Sequence, residues 1–199
     1  MIIGMKQNQK QKQKQVQDKT VYWTVMEHSG QSLFMAATDE GLCFVGGWNE
    51  ALEELEKWTL SKYPGSALIR DDVRLSQYRN GLAAYMKGER PALDFPMAVR
   101  GTAFQQKVWN ALLAIPYGET RTYTDIAAAV GSPAAVRAVG AAIGANPILI
   151  AVPCHRVIGK DGSLTGFRGG LAMKKALLAL ERGAASRENK PHEETVAYL

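Results

Sequence analysis

A chain of 199 residues with 46 % hydrophobic content can bury a real core as one domain or two small ones. No run of about 18 apolar residues is present, which excludes a membrane-spanning helix, and two cysteines, Cys43 and Cys154, are too few for a disulfide framework and suit a reducing cytoplasm. The net charge of +5 is unevenly spread, with +4 over residues 1–20, −4 over 21–99, +6 over 100–182 and −1 over 183–199, so the second half suits either a polyanionic partner or a solvated basic face.

Residues 1–20 alternate Lys and Gln with little apolar content and read as a disordered tail, without the apolar stretch of a signal peptide. From Tyr22 three short β-type runs follow, VYWTVME, SLFMAAT and GLCFVGG, separated by SGQ and TDEG. They predict an antiparallel meander, in which Cys43 is a core thiol. Asn49 is placed to cap a helix to about Ser61, with Leu52, Leu55 and Trp58 inward and Glu53, Glu54 and Glu56 outward. KYPG breaks that helix, ALIR can add a strand, and Asp72 to Lys87 reads as a second helix. The proline-containing connector GERPALDFPMAVRGT sets a domain boundary near Arg100, giving an N-terminal domain over 21–99, a C-terminal domain over 100–183 and a tail over 184–199.

Beyond the boundary, Thr102 can cap a helix carrying Phe104, Val108, Leu112 and Ile115 on one face, ended by PYGE. A short helix follows, with Thr122 or Thr124 near its cap, and Ser132 and Pro133 are expected to open a third, AAVRAVGAAIGAN. Two short helices around a glycine-containing turn suggest a helix-turn-helix. Its second helix offers one long polar side chain, Arg137, among Ala, Gly, Val and Ile. That is too few to read bases in a major groove, although small side chains admit close approach to a minor groove or to a packing neighbour. The last helix, LAMKKALLALE, is expected to turn Leu171, Leu177, Leu178 and Leu180 inward and Lys174 and Lys175 outward, leaving Glu181 at its C-terminal end, where the helix dipole disfavours a carboxylate.

The chemistry concentrates in IAVPCHRVIG, residues 150–159. Pro153 fixes its own φ and biases Val152 to extended geometry, so Cys154 is presented on a stiff turn. A thiol beside an imidazole is the raw material of an activated nucleophile, because the thiolate is the reactive form. Cys-His alone equally fits a buried thiol next to a structural histidine.

The string VPCHRVI resembles the active-site signature of the O6-alkylguanine-DNA alkyltransferases, or methylated-DNA–protein-cysteine methyltransferases. AVRAVG upstream, Asn146 and Pro147 before the cysteine, and GFRGGL with LLALE downstream extend the resemblance from about Gly101 to Glu181; the first half is similar in element order and length. The fold this implies is an α/β N-terminal domain, a ribonuclease H-like antiparallel meander plus helices, followed by a mostly α C-terminal domain with a winged-helix-like helix-turn-helix. The activity it implies is direct-reversal repair in duplex DNA. The alkyl group of O6-alkylguanine, and of O4-alkylthymine, would pass once to Cys154, with no cofactor and no metal. The partner would be double-stranded DNA held through the minor groove with base flipping, engaged by a monomer in the bacterial cytoplasm or nucleoid.

The same resemblance makes Cys154 the nucleophile, His155 a base acting through a bound water, Glu181 the carboxylate that orients it, and Asn146 the hinge residue before the cysteine. Tyr123 would support the leaving guanine and crowd a phosphate. Arg137 would fill the gap left by the flipped base, and Ala135, Ala138, Arg156 and Lys174 would join Tyr123 and Arg137 at the DNA. Val157, Phe167 and Arg168 would line the guanine pocket. Flipping costs about a few kcal/mol, least where the lesion already weakens pairing. Arg168 stands where many relatives have a small residue, which predicts a more basic or narrower pocket rim, and ANPILIAV lacks a second proline that some relatives carry. The competing readings are a lesion sensor or regulator without catalytic transfer, and a thiol hydrolase, which leaves the basic second half and the Ala-rich helix unexplained.

Overall fold

The computed structural model describes residues 20–188, with side chains through Gly183; the expected tails at 1–20 and 184–199 fall almost wholly outside the described residues and side chains. The meander forms as its alternation predicts. Strands β1 (Val21–His28), β2 (Gln31–Thr38) and β3 (Gly41–Val45) pair antiparallel. Ser29 and Gly30, with φ of 49° and 75°, make the two-residue turn of the hand that matches strand twist. Strand β4 (Leu68–Arg70) adds in parallel to β1, so the sheet is mixed, in the order β3-β2-β1-β4.

The period of two along β2 decides what each face meets. Leu33, Met35 and Ala37 enter the main core, while Ala36 joins Cys43 and Phe44 in a smaller cluster closed by Leu55 of helix α1 (Leu52–Lys62). Asn49 does not cap α1: Ala51 holds that position without a side-chain bond. Asn49 instead takes φ 53°, accepts from the Ser32 amide at 2.9 Å and donates to Gln31 Oε1 at 2.8 Å, tying the loop back to β2. Helix α2 (Ser76–Met86) packs on β1 and starts later than Asp72, because residues 72–75 form a turn first.

The outer edge of β3 is covered rather than exposed. A Cβ on Gly41 would lie 2.4 Å from the Pro96 carbonyl oxygen, so glycine lets the connector come in and bond through Leu42 N to Pro96 O and Ala98 N to Leu42 O. Further along the same edge, Val45 bonds to Pro147 O (3.0 Å) and from Leu149 N (3.3 Å). The N-terminal sheet thus grips the chain just ahead of Cys154.

In the second half, helix α3 (Ala103–Leu113) starts in a capping box of Thr102 and Gln105, and α4 (Tyr123–Ala129) in one of Thr122 and Asp125. Helix α5 (Val136–Gly144) begins later than Ser132 and Pro133 suggested, since the Ala135 amide closes a turn on Ser132 O before the helix starts. The indole of Trp109 in α3 donates to Ala142 O of α5 at 2.9 Å and locks the pair. Short strands β5 (Arg121–Thr122) and β6 (Val157–Ile158) pair in parallel. One apolar cluster runs from Leu33 and Met35 through Val108 and Val139 to Met173 and Leu177, so both halves share a core.

Helix α6 (Gly170–Glu188) departs from expectation in rotation and in length. Its inward stripe is Met173, Lys174, Leu177, Leu178 and Glu181, all buried, while Leu171 is 50 % exposed. The helix continues past Glu181, which is therefore mid-helix and free of the C-terminal dipole. No helix among the described residues is long and apolar enough to cross a membrane.

Candidate active site

Two successive three-residue turns deliver the cysteine. Ala151 N bonds to Leu149 O (2.8 Å) around Ile150, whose φ of 70° is a strained value for a β-branched residue. Cys154 N then bonds to Val152 O (2.8 Å) around Pro153, whose fixed φ of −81° suits the relaxed form of the same turn. Burial of Ile148–Val152 and their pairing with β3 hold the strained residue in place. Cys154–Arg156 follow as one turn of 3-10 helix, with all three side chains buried.

Asn146 organises this turn from inside. Its Nδ2 donates to Val152 O at 2.9 Å and reaches Cys154 Sγ at 3.0 Å, while its Oδ1 accepts from Ile148 N at 2.9 Å. Burial pushes the Cys154 thiol up from its ordinary value; the Asn146 hydrogen bond and the positive charges of Arg168 and Lys174 oppose that shift. The thiol is neutral at rest, in a setting that favours the thiolate once a proton acceptor is at hand.

Next in the chain, His155 is fully buried, and its Nε2 lies 2.6 Å from Glu181 Oε1. Glu181 is fully buried as well and saturated with donors. Oε1 takes His155 and the hydroxyl of Tyr85; Oε2 takes the Gly118 amide at 2.9 Å; Arg156 Nε reaches both oxygens at 3.2 and 3.0 Å. Burial alone would raise the carboxyl pKa, but the bonds from His155, Arg156 and Tyr85 hold it well below the usual carboxylate range. Glu181 and Arg156 therefore form a neutral buried pair, and Arg156 spends another N–H on Ile115 O at 2.6 Å. Burial lowers the His155 pKa despite Glu181 nearby, so the imidazole is neutral. An ionised Glu181 can only accept, which puts the imidazole proton on Nε2 and leaves Nδ1 with a lone pair; Nδ1 is buried without a protein partner.

The loop after β6 closes over this group. Lys174 Nζ donates to Val157 O (2.6 Å) and Thr165 O (2.9 Å), and Tyr123 Oη donates to the same Thr165 O at 3.2 Å. The Phe167 ring stands edge-on to His155, with centroids 6.5 Å apart. Arg168 pins the end of the loop to the N-terminal sheet through Val45 O (2.6 Å), Asn146 O (3.2 Å) and Pro147 O (3.3 Å), with Glu50 at 3.4 Å. Beside it a Cβ on Gly47 would lie 2.8 Å from Gly169 Cα, so the missing side chain of Gly47 lets the two backbones touch.

The 6-O-methylguanine DNA methyltransferase DNA-binding domain matches residues 103–183. The inducible methylated-DNA–protein-cysteine methyltransferase of Bacillus subtilis is 51 % identical over 173 residues, 87 % of this chain and 97 % of that protein. The chain belongs to the methylated-DNA–protein-cysteine methyltransferase family. A relative from Methanosarcina acetivorans is 41 % identical over 163 residues, covering 81 % of this chain and 98 % of its own length. A crystal structure of Mycobacterium tuberculosis OGT in complex with DNA superposes with a TM-score of 0.70 at 41 % identity, covering 82 % of this chain and 94 % of that one.

Set in this family, Cys154, His155, Glu181 and Asn146 converge at one buried centre, with Tyr123, Val157 and Phe167 around the loop above it. Arg137 and Ala138 are exposed on α5 and Ala135 is half-buried at its start. Two expected DNA contacts need correcting. Arg156 is 7 % exposed with its guanidinium on Glu181 and Ile115, and Lys174 is fully buried on two carbonyls; neither presents its charge outward. Arg168 does not act as a free basic rim either, because its guanidinium is spent on backbone carbonyls and Glu50. Tyr85 and the Gly118 amide are site groups that the sequence did not reveal. A tyrosine amid the apolar residues of α2 carries no signal of a partner so far along the chain.

Proposed function

We propose that the chain repairs alkylated guanine in DNA by moving the alkyl group from O6 to Cys154 in one irreversible step. The observation that carries this is the buried constellation of Cys154 Sγ on Asn146, beside a neutral His155 whose Nε2 is committed to Glu181. His155 Nδ1 takes the thiol proton through a water. Sγ attacks the alkyl carbon as the carbon–O6 bond breaks, and the electron pair leaves with guanine. By the family resemblance Tyr123 donates a proton to the departing base, for which its hydroxyl must leave Thr165 O. Among the described residues no group in the site is placed to hydrolyse the resulting thioether, so each molecule acts once.

For the target base to reach a buried thiol it must leave the duplex. Helix α5 suits the minor groove: Val139, Ala142 and Ile143 face the core, while Ala138, Ala141, Gly144 and Ala145 leave a smooth outer face on which Arg137 is the one long side chain. That surface supports insertion of Arg137 without base readout. The relative from M. tuberculosis was crystallised with DNA, which supports the same partner here. We further read the four-stranded sheet as ribonuclease H-like, α3 to α5 with the β5-β6 pair as winged-helix-like, and the division near Arg100 as the domain boundary.

The deciding experiment incubates the protein with a duplex carrying one O6-methylguanine and weighs the Cys154 peptide after digestion. A gain of one methyl group is expected. An unmodified peptide with the lesion intact would sink the transferase reading, and binding without transfer would favour a lesion sensor. Arg137→Ala should slow repair of the duplex while sparing reaction with free O6-benzylguanine; equal losses on both would remove Arg137 from the flipping role.

A further inference from the structure

Tyr85 lies in the N-terminal half, on α2, is 1 % exposed, and sends its hydroxyl across the interface to Glu181 Oε1. We propose that Tyr85 is a positioning residue of the alkyl transfer, holding the Glu181 carboxylate on the oxygen that orients His155 and thereby setting how readily the imidazole accepts the thiol proton. The inference deepens the transferase reading and rests on it.

The argument starts from the donors around Glu181. Gly118 N and Arg156 Nε secure Oε2, but Arg156 Nε is shared and sits farther from Oε1, at 3.2 Å. Oε1 is the oxygen that must receive His155, and beside His155 its other close donor is Tyr85. The hydroxyl stays a donor because burial and the adjacent carboxylate both raise its pKa. Tyr85 Oη is 3.4 Å from His155 Nε2, too far for a useful bond of its own, so its influence passes through the carboxylate. The ring is independently fixed by an edge-on contact with Tyr117, centroids 5.7 Å apart, which aims the hydroxyl from a rigid base.

Removing that one donor leaves the carboxylate more basic and freer to turn. A more basic Glu181 stabilises the imidazolium, so His155 becomes protonated at higher pH and is lost as a base. The charged and titratable groups facing His155 are Glu181 and Lys174 of α6, Arg156 of its own turn and Tyr85 of α2, with Cys154 next in the chain and Arg168 beyond it. Of these, Tyr85 can be altered by one atom without changing net charge.

The test measures single-turnover alkylation of Cys154 by free O6-benzylguanine and by alkylated duplex, as a function of pH, in the full chain and in Tyr85→Phe. Phenylalanine keeps the ring packing. The variant should be slower by roughly tenfold, the size expected for one charge-assisted hydrogen bond, equally on both substrates. The acid limb of its rate profile should move to higher pH. Against a Glu181→Gln background the same change should add little, because Tyr85 acts through that carboxylate. An unchanged rate and acid limb in a folded Tyr85→Phe would overturn the proposal, as would a full additional loss in the Glu181→Gln background. Absence of alkylation in the unsubstituted chain would instead overturn the transferase reading itself.

Discussion

The chain carries two buried thiols in two unlike settings, Cys43 in the middle of β3 and Cys154 on the turn after Pro153. Both are almost wholly removed from solvent, at 0 % and 3 % exposure, and burial pushes both thiols up, Cys43 to about 12. Burial therefore does not tell them apart; their partners do. Cys43 donates to Ala36 O at 3.4 Å within an apolar cluster of Val21, Phe44 and Leu55, with the Tyr63 hydroxyl and the Arg100 charge as its polar neighbours and, among the described residues, no imidazole beside it. Cys154 has Asn146 Nδ2 at 3.0 Å, His155 next in the chain, and the charges of Lys174 and Arg168 nearby. A sulfur that gives its proton to a strand carbonyl is part of the packing. One held by a buried carboxamide, with a neutral imidazole next in the chain, has a base within reach of that proton.

The sharpest way to break the comparison is to remove each sulfur. Cys154→Ala should abolish alkyl transfer, whereas Cys43→Ala should keep it and cost roughly 1 kcal/mol for a small buried cavity; peptide masses and thermal melts read both outcomes. Transfer lost in Cys43→Ala would erase the distinction. Next in size, Asn146→Ala should slow alkylation of Cys154 by about tenfold or more and lower stability by about 1–3 kcal/mol, since Val152 O, Ile148 N and the thiol each lose a buried partner. Single-turnover rates and a denaturant titration would show it.

A smaller effect concerns pH. His155 is held neutral below its ordinary 6.5, so as pH falls through 6.5 the unfolded chain binds a proton that the fold resists, and stability declines. Glu181, depressed below 4.5, contributes stability above 4.5 that is lost as pH falls towards its folded value. Melting curves between pH 7 and pH 5 should therefore drop less in His155→Gln than in the unsubstituted chain. An equal drop would assign the acid sensitivity to another group. A modest effect on the rate is expected from Arg168→Ala, which frees the loop from Val45, Asn146 and Pro147. It should cost about 1–2 kcal/mol, discounted for a side chain 28 % exposed, with a modest slowing of transfer.

Much of the local architecture was legible along the chain. Alternation gave the meander, Thr102 marked the start of its helix, Thr122 proved to be the cap where Thr122 and Thr124 had both been open, and VPCHRVI with Asn146 pointed to the family and to its nucleophile. Local signals act over a few residues, and these were read where they act. The errors share a cause. Asn49 and Ser132 have the chemistry of caps, but a competing strand contact and a preceding turn used them first. Lys174 looks like a solvent-facing charge in an amphipathic pattern, which scores each side chain by its own hydration and not by the partners waiting inside.

By itself the sequence determined that one cysteine sits beside a histidine on a proline-stiffened turn in a basic half, and which family such a turn belongs to. Only the tertiary structure decided what surrounds that pair, with Tyr85 and Gly118 on Glu181, Arg156 and Lys174 turned inward, and Arg168 strapped to β3. The physical reason is that a buried charge is tolerated only where enough donors and acceptors converge on it. That convergence comes from elements far apart in the chain, so it exists only once the two halves have closed on a common core.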